Sequence, residues 1–282
     1  MAVNALLIVL LAAALHAIWN LIAKQLGGGA AVAVTFLSVG VIAWIPVVVV
    51  AVGHGASFGG PRGLAWATVG GSLQAVYFVL LQRAYRHGDL SVVYPLARGS
   101  GPLFAVAGGV LIYAETPGTA GILGAIAVSA GAVVLLGGSW RRVPSGAGWA
   151  VAVGTVIASY TLWDRYGVAD LGASPWLYLW VGELVAIALL LPRALRDVGT
   201  MRRVVRTEPL RIVTVGVLQL AAYGLVLAAL AIAPVSAVAP VREVSVVLAA
   251  VLGAVVLREP VGRARVLGAA IIAAGVIAIA VS

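Results

Sequence analysis

Ten stretches of roughly 20 residues, nearly free of charge, take up most of this 282-residue chain. They lie near residues 3–23, 31–52, 63–82, 91–113, 117–138, 146–163, 174–191, 211–233, 235–257 and 264–281. Such lengths match the hydrocarbon thickness of a bilayer, where a backbone without water must pair its own amides and carbonyls. An all-α membrane protein of ten transmembrane helices is therefore expected. With 63% hydrophobic residues, 10% charged and a mean hydropathy of +1.13, the chain carries more apolar surface than a soluble core absorbs. The first run is too long and too poor in a basic start for a removed signal peptide, and is expected to stay in the mature chain.

The ten runs divide into two copies of five. His16-Ala17-Ile18-Trp19-Asn20 returns, altered, as Tyr160-Thr161-Leu162-Trp163-Asp164, and the same spacing joins Arg98 to Arg242 and Glu115 to Glu259. Leu73-Gln74 answers to Leu218-Gln219 and Ser91 to Ser236. Glu115 to Gly131 reads ETPGTAGILGAIAVSAG, and Glu259 to Gly275 reads EPVGRARVLGAAIIAAG. The expected units are residues 1–142 (spans one to five) and 143–282 (spans six to ten). An odd number of spans per copy inverts one copy relative to the other, an architecture that secondary transporters use for alternating access.

Fourteen of the 18 Lys and Arg residues fall at alternate junctions between runs: Lys24, Arg83, Arg86, Arg141, Arg142, the block from Arg193 through Arg211, and Arg258, Arg263 and Arg265. Only Arg62 and Arg165 lie opposite, while Arg98 and Arg242 fall within spans. Short loops rich in positive charge stay in the cytoplasm, so this count places both termini outside. The basic block between spans seven and eight is expected to be held by anionic lipid headgroups. A pI near 10.6 reflects these junctions and not a nucleic-acid-binding face. The absence of cysteine excludes disulfides, thiolate metal sites and cysteine nucleophiles.

Pro95, Pro102, Glu115, Gly118, Leu123-Gly124 and Gly131, echoed by Pro240, Glu259, Gly262, Leu267-Gly268 and Gly275, carry a resemblance over essentially the full length. The chain resembles a ten-span member of the drug/metabolite transporter (DMT) superfamily, of the EamA-domain type, built from a five-helix repeat. The stretches His16 to Asn20 and Tyr94 to Ser100 resemble one bacterial branch. The resemblance implies an inner-membrane carrier working in efflux, with cytoplasmic termini; on that last point the charge count of this chain departs from it.

An ionisable group inside a span is disfavoured by a few kcal/mol and is expected to face a cavity or a partner. Arg98, Arg242, Glu243 and Glu183 are such groups, and Glu183 has no acidic counterpart near Ser38 and Val39 in the first copy. Pro95 and Pro240 are expected to break their helices beside the arginines. Arginine clamps carboxylate, phosphate or phosphonate, and two arginines balanced by two glutamates suit a zwitterion or a carboxylate compound. Gln74, Tyr77, Tyr94, Gln219, Tyr223, Trp19 and Trp163 supply a layer with flat apolar surfaces and polar tips, joined by Asn20, Tyr160 and Asp164. Trp19, Trp163, Trp176 and Tyr178 fit the headgroup belt equally well, and Asp164 and Arg165 are expected at the interface. His16, Glu183 and Glu243 are the candidate carriers of a coupling proton.

The bland alternative to a binding site is a pair of internal salt bridges, Arg98 with Glu243 and Arg242 with Glu183. Small residues in spans five and ten are expected to pack helices closely, within one chain or between two, and Glu115 and Glu259 to cap the helices that follow them. Export of cationic drugs, a channel and a lipid-handling scaffold compete with the metabolite carrier; saturable flux and counterflow separate carrier from channel. A remote alternative is an intramembrane serine hydrolase using Ser100 with His16 as base. No phosphate-binding glycine loop, metal-ligand cluster or nucleotide motif is present, so no cofactor, metal or catalysis is expected. The expected partners are a small-molecule substrate, the lipid bilayer and a proton; no nucleic acid is expected, and a monomer and a homodimer are both compatible.

Overall fold

In the computed structural model, residues 1–87, 90–135, 146–256 and 262–282 are described. All their regular structure is helical: α1 (Val3–Leu26), α2 (Ala30–Ala43), α3 (Ile45–Gly53), α4 (Gly60–His87), α5 (Leu90–Tyr113), α6 (Thr119–Leu135), α7 (Ala147–Arg165), α8 (Pro175–Ala194), α9 (Val198–Thr207), α10 (Pro209–Leu230), α11 (Val235–Val241), α12 (Val244–Val256) and α13 (Arg263–Ala280). Among the described residues, eight helical segments are long and apolar enough to cross a membrane. The other two apolar runs form α6, which is shorter, and α7, which Ser159, Tyr160, Thr161 and Asp164 make more polar. Leu7, Leu11, Ile42, Leu111, Val255 and Ile277 point outward, the pattern of a surface facing lipid.

Two apolar runs are broken helices. The second splits at Trp44 into α2 and α3, where Pro46 removes a backbone donor and the Trp44 amide closes back on Gly40 O (2.9 Å). The ninth splits between α11 and α12, with Arg242 and Glu243 at the junction just past Pro240. The break expected at Pro95 is absent: α5 runs unbroken from Leu90 to Tyr113. Only the sixth residue from its start, Pro95 forfeits a single backbone bond there. The side chains of Pro95 and Tyr94 lie outside the described residues, as do Glu259, Arg141, Arg142 and Arg258. The basic stretch between spans seven and eight, read as a loop, holds α9. Met201 and Val204 turn inward there while Arg202, Arg203 and Arg206 are exposed. Asp197 caps it by accepting the Thr200 amide (3.0 Å), and hydrogen bonds from the Thr200 side chain and then this amide hold its carboxyl below the usual carboxylate range.

Helix packing recurs with the copies exchanged. α1 lies along α10 as α4 lies along α7, α2 meets α10 as α4 meets α8, and α5 meets α7 as α11 and α12 meet α1. α6 pairs with α13, its own counterpart. Glycine sets that closeness: a Cβ on Gly124 would lie 2.6 Å from Gly275 O, and one on Gly275 2.6 Å from Gly124 O. The small residues of spans five and ten therefore join the two copies within one chain. Two further crossings, Gly71 against Gly182 and Gly216 against Gly40, fix the register between copies. By that register Val41, and not Ser38 or Val39, matches Glu183.

Candidate functional site

A cavity of about 450 Å³ opens beside Lys24 and Gly27–Gly29, between α1, α2, α4 and α8. Trp19, Phe36, Phe78 and Glu183 line it. Asn20, Gln74, Tyr77 and Gln219 line both this space and a deeper one of about 200 Å³, whose walls include His16, Arg98, Tyr160, Tyr223 and Arg242. The larger volume lies in the range of small-molecule sites, and the smaller extends it inward. Tyr160 stands edge-on to Tyr77 and to Tyr223, with ring centroids 6.0 and 5.9 Å apart, so the deep wall is aromatic.

The floor is charged. Arg98 donates from Nη1 to Glu243 Oε1 (3.3 Å), and its Nη2 lies 2.8 Å from His16 Nε2. Because a guanidinium only donates, His16 accepts through Nε2 and carries its proton on Nδ1. Protonating Nε2 requires that this bond be given up. Arg242 shares the same Glu243 oxygen at 4.0 Å, and its Nε finds no hydrogen-bond partner among the described residues. Two guanidinium groups thus lean on one carboxylate. The pairing of Arg98 with Glu243 forms as weighed from the sequence; that of Arg242 with Glu183 does not. Glu183, 1% exposed, accepts instead from the Gln219 amide (2.8 Å).

Four readings are corrected here. Asp164 does not reach the interface: it is fully buried, accepting from Tyr178 Oη (3.0 Å) and Tyr223 Oη (2.6 Å). Its neighbour Arg165 does turn away, to Asp170 (2.5 Å) and over the Tyr113 ring (4.1 Å). Tyr178 and Trp163 are not free belt residues. Trp163 lies flat on Trp66 with centroids 4.0 Å apart, and each indole N–H donates to the other's backbone carbonyl (2.9 and 3.2 Å). Ser100 donates to Leu96 O (2.6 Å) while His16 is held by Arg98, so the hydrolase pairing is absent. Glu115 caps a helix, but not α6: its two oxygens accept the amides of Val235 and Ser236 (both 2.8 Å) at the start of α11, in the other copy.

Tyr178 and Trp66 are the residues of this cluster that sequence reasoning missed, while the sequence reads Asp164 both into the polar layer and out to the interface. Asp164 aligns with Asn20, already placed in the cavity layer, and that alignment was the available signal.

Residues 144–281 match the model of the EamA-like transporter family. The second half of the chain belongs to that family. EamA-like proteins are membrane transporters of the DMT superfamily, and that is the class the match gives to residues 144–281. A crystal structure of a protein with 19% identity covers 100% of this EamA-like chain and 98% of its own, at a TM-score of 0.78. It is one of 28 solved chains that match, and at that identity it speaks to the fold alone. No curated protein matches the chain by sequence.

Proposed function

We propose that this EamA-like protein is a secondary active transporter of a small zwitterion or carboxylate compound, such as an amino acid, working by alternating access between two inverted five-helix units. The units are residues 1–142 and 143–282, ten spans in all, in the inner membrane with both termini outside. The exchanged helix packing supports the repeat, and the alternation of basic junctions supports the orientation. Export is the direction that the family resemblance implies.

The observation that carries the substrate class is the division of the cavity. At its floor Arg98 and Arg242 share Glu243, leaving the Arg242 Nε unsatisfied; at its side Glu183 has a neutral amide for a partner. A carboxylate complements the first and an ammonium the second. One observation favours a purely cationic substrate: buried Asp164 adds a third carboxylate against two arginines.

Thermal-shift measurements on detergent-purified protein distinguish these readings. Zwitterionic amino acids are expected to stabilise the wild type, and Arg242→Ala to weaken them by roughly ten- to a hundredfold, the worth of one charge-assisted hydrogen bond of about 1.5–3 kcal/mol. Glu183→Gln weakens zwitterions and leaves simple carboxylates unchanged. Stabilisation by amines lacking a carboxylate, lost in Glu183→Gln and kept in Arg242→Ala, establishes the cationic reading instead.

A further inference from the structure

The two ends of the molecule are built from corresponding residues in opposite states. At the Lys24 end, Trp19, Asn20, Phe36 and Phe78 line an open cavity, and the buried Trp19 Nε1 has no hydrogen-bond partner among the described residues. The duplication pairs Trp19 with Trp163 and Asn20 with Asp164. The Leu73-Gln74 and Leu218-Gln219 register pairs Phe78 with Tyr223, and the crossing glycines pair Phe36 with Tyr178. At the Pro175 end the four counterparts are engaged with one another or with α4, Tyr223 turning its hydroxyl to Asp164 while its ring borders the deep cavity. Trp163 is clasped to Trp66, and both oxygens of Asp164 are taken by tyrosine hydroxyls. Tyr178 Oη also lies 3.2 Å from Trp66 O, so the cluster ties α7, α8 and α10 to α4 across the two copies. Further out, Lys24 is exposed at the cavity mouth while its counterpart Val168 is buried.

Chemically the ends are not equivalent. Asp164 accepts two hydroxyl bonds, whereas Asn20 donates to His16 O (2.7 Å) and its corresponding neighbours Phe36 and Phe78 have no hydroxyl to offer, so only the Pro175 end can close on charge-assisted hydrogen bonds. We propose that Asp164, Tyr178 and Tyr223 are the gate residues of the transport cycle, holding the Pro175 end closed. Asn20, Phe36 and Phe78 form the weaker closure at the Lys24 end, so the empty transporter rests open there. The inference extends the transporter reading above and rests on it. Of the charged groups around the trio, Arg242 and Glu183 belong to the substrate cavity, so a bound ligand is positioned to act on the gate.

The chain has no cysteine, so single reporters are clean. Lys24→Cys and Val168→Cys place thiols at corresponding positions of the two ends, and their reaction with a hydrophilic maleimide is timed in detergent without substrate. With the gate intact, Lys24→Cys reacts and Val168→Cys is protected. Adding Tyr178→Phe with Tyr223→Phe, or Asp164→Asn, is expected to speed Val168→Cys by about tenfold or more and to slow Lys24→Cys. Tyr223→Phe alone removes one hydroxyl and is expected to give a smaller shift of the same sense. An unchanged rate at Val168→Cys, or a rise at both reporters together, overturns the proposal, since the latter marks general loosening and not an exchange of ends. Labelling needs no ligand, so a substrate screen that finds nothing counts against the substrate reading and leaves this result standing.

Discussion

Truncating Glu115 to alanine leaves the amides of Val235 and Ser236 without acceptors at the start of α11. Gly109 lies against the same carboxylate, where a Cβ would come within 2.5 Å of its oxygen, so no neighbouring side chain replaces it. Glu115→Ala is expected to cost about 1–2 kcal/mol and lower the thermal midpoint in detergent by several degrees. Glu115→Gln keeps one acceptor oxygen and should fall between; equal midpoints for all three proteins would remove the clamp. At this scale the sequence was legible where chemistry forces a partner. Arg98 and Glu243 cannot stay apart inside a bilayer, and they do not. It was illegible where one carboxylate had two plausible destinations. Asp164 stands beside Arg165, which does reach a surface partner, yet α7 turns the two side chains to opposite fates. Glu115 was read as a cap of the helix next in sequence, because nothing local reveals that α11 of the other copy passes closer.

Helices are where the sequence spoke most plainly. Each of the ten apolar runs became a helix or a pair of half-helices, because a buried backbone has few other ways to satisfy itself. Proline alone did not locate the breaks: Pro95 lies inside a continuous α5, whereas Pro46 accompanies one that hydropathy conceals. What decides is whether neighbouring helices can use the freed backbone and side chains, which is a tertiary property. The pairing of α6 with α13 gives a direct check. Gly275→Leu is expected to destabilise by roughly 1–3 kcal/mol or more through overpacking, seen as a lower midpoint and a smaller folded peak on gel filtration. Gly148→Leu, with no neighbour within 4 Å of its added Cβ, is the matched control. Similar behaviour of the two variants would show that α6 and α13 tolerate separation.

For the molecule as a whole, the charge pattern makes an orientation prediction. In right-side-out membrane vesicles, His54→Cys is expected to react with an impermeant maleimide, and Gly199→Cys, at the start of basic α9, only after permeabilisation. The reverse pattern would place the termini inside, as in the family's usual drawing, and would turn the open cavity to the opposite face. The sequence shows matching residues in its two halves, but not which end is open, since both ends carry similar residues and only packing distinguishes them.

The Arg98–Glu243 bridge and the Glu115 clamp both run from one copy to the other. Neither half alone brings Arg98 to its carboxylate or supplies the acceptors for the first amides of α11. The first half gives a carboxylate to the backbone of the second, and the second gives one to the guanidinium of the first. Drift at Arg98 is therefore constrained by a residue 145 positions away, and the halves must be inherited, and engineered, together.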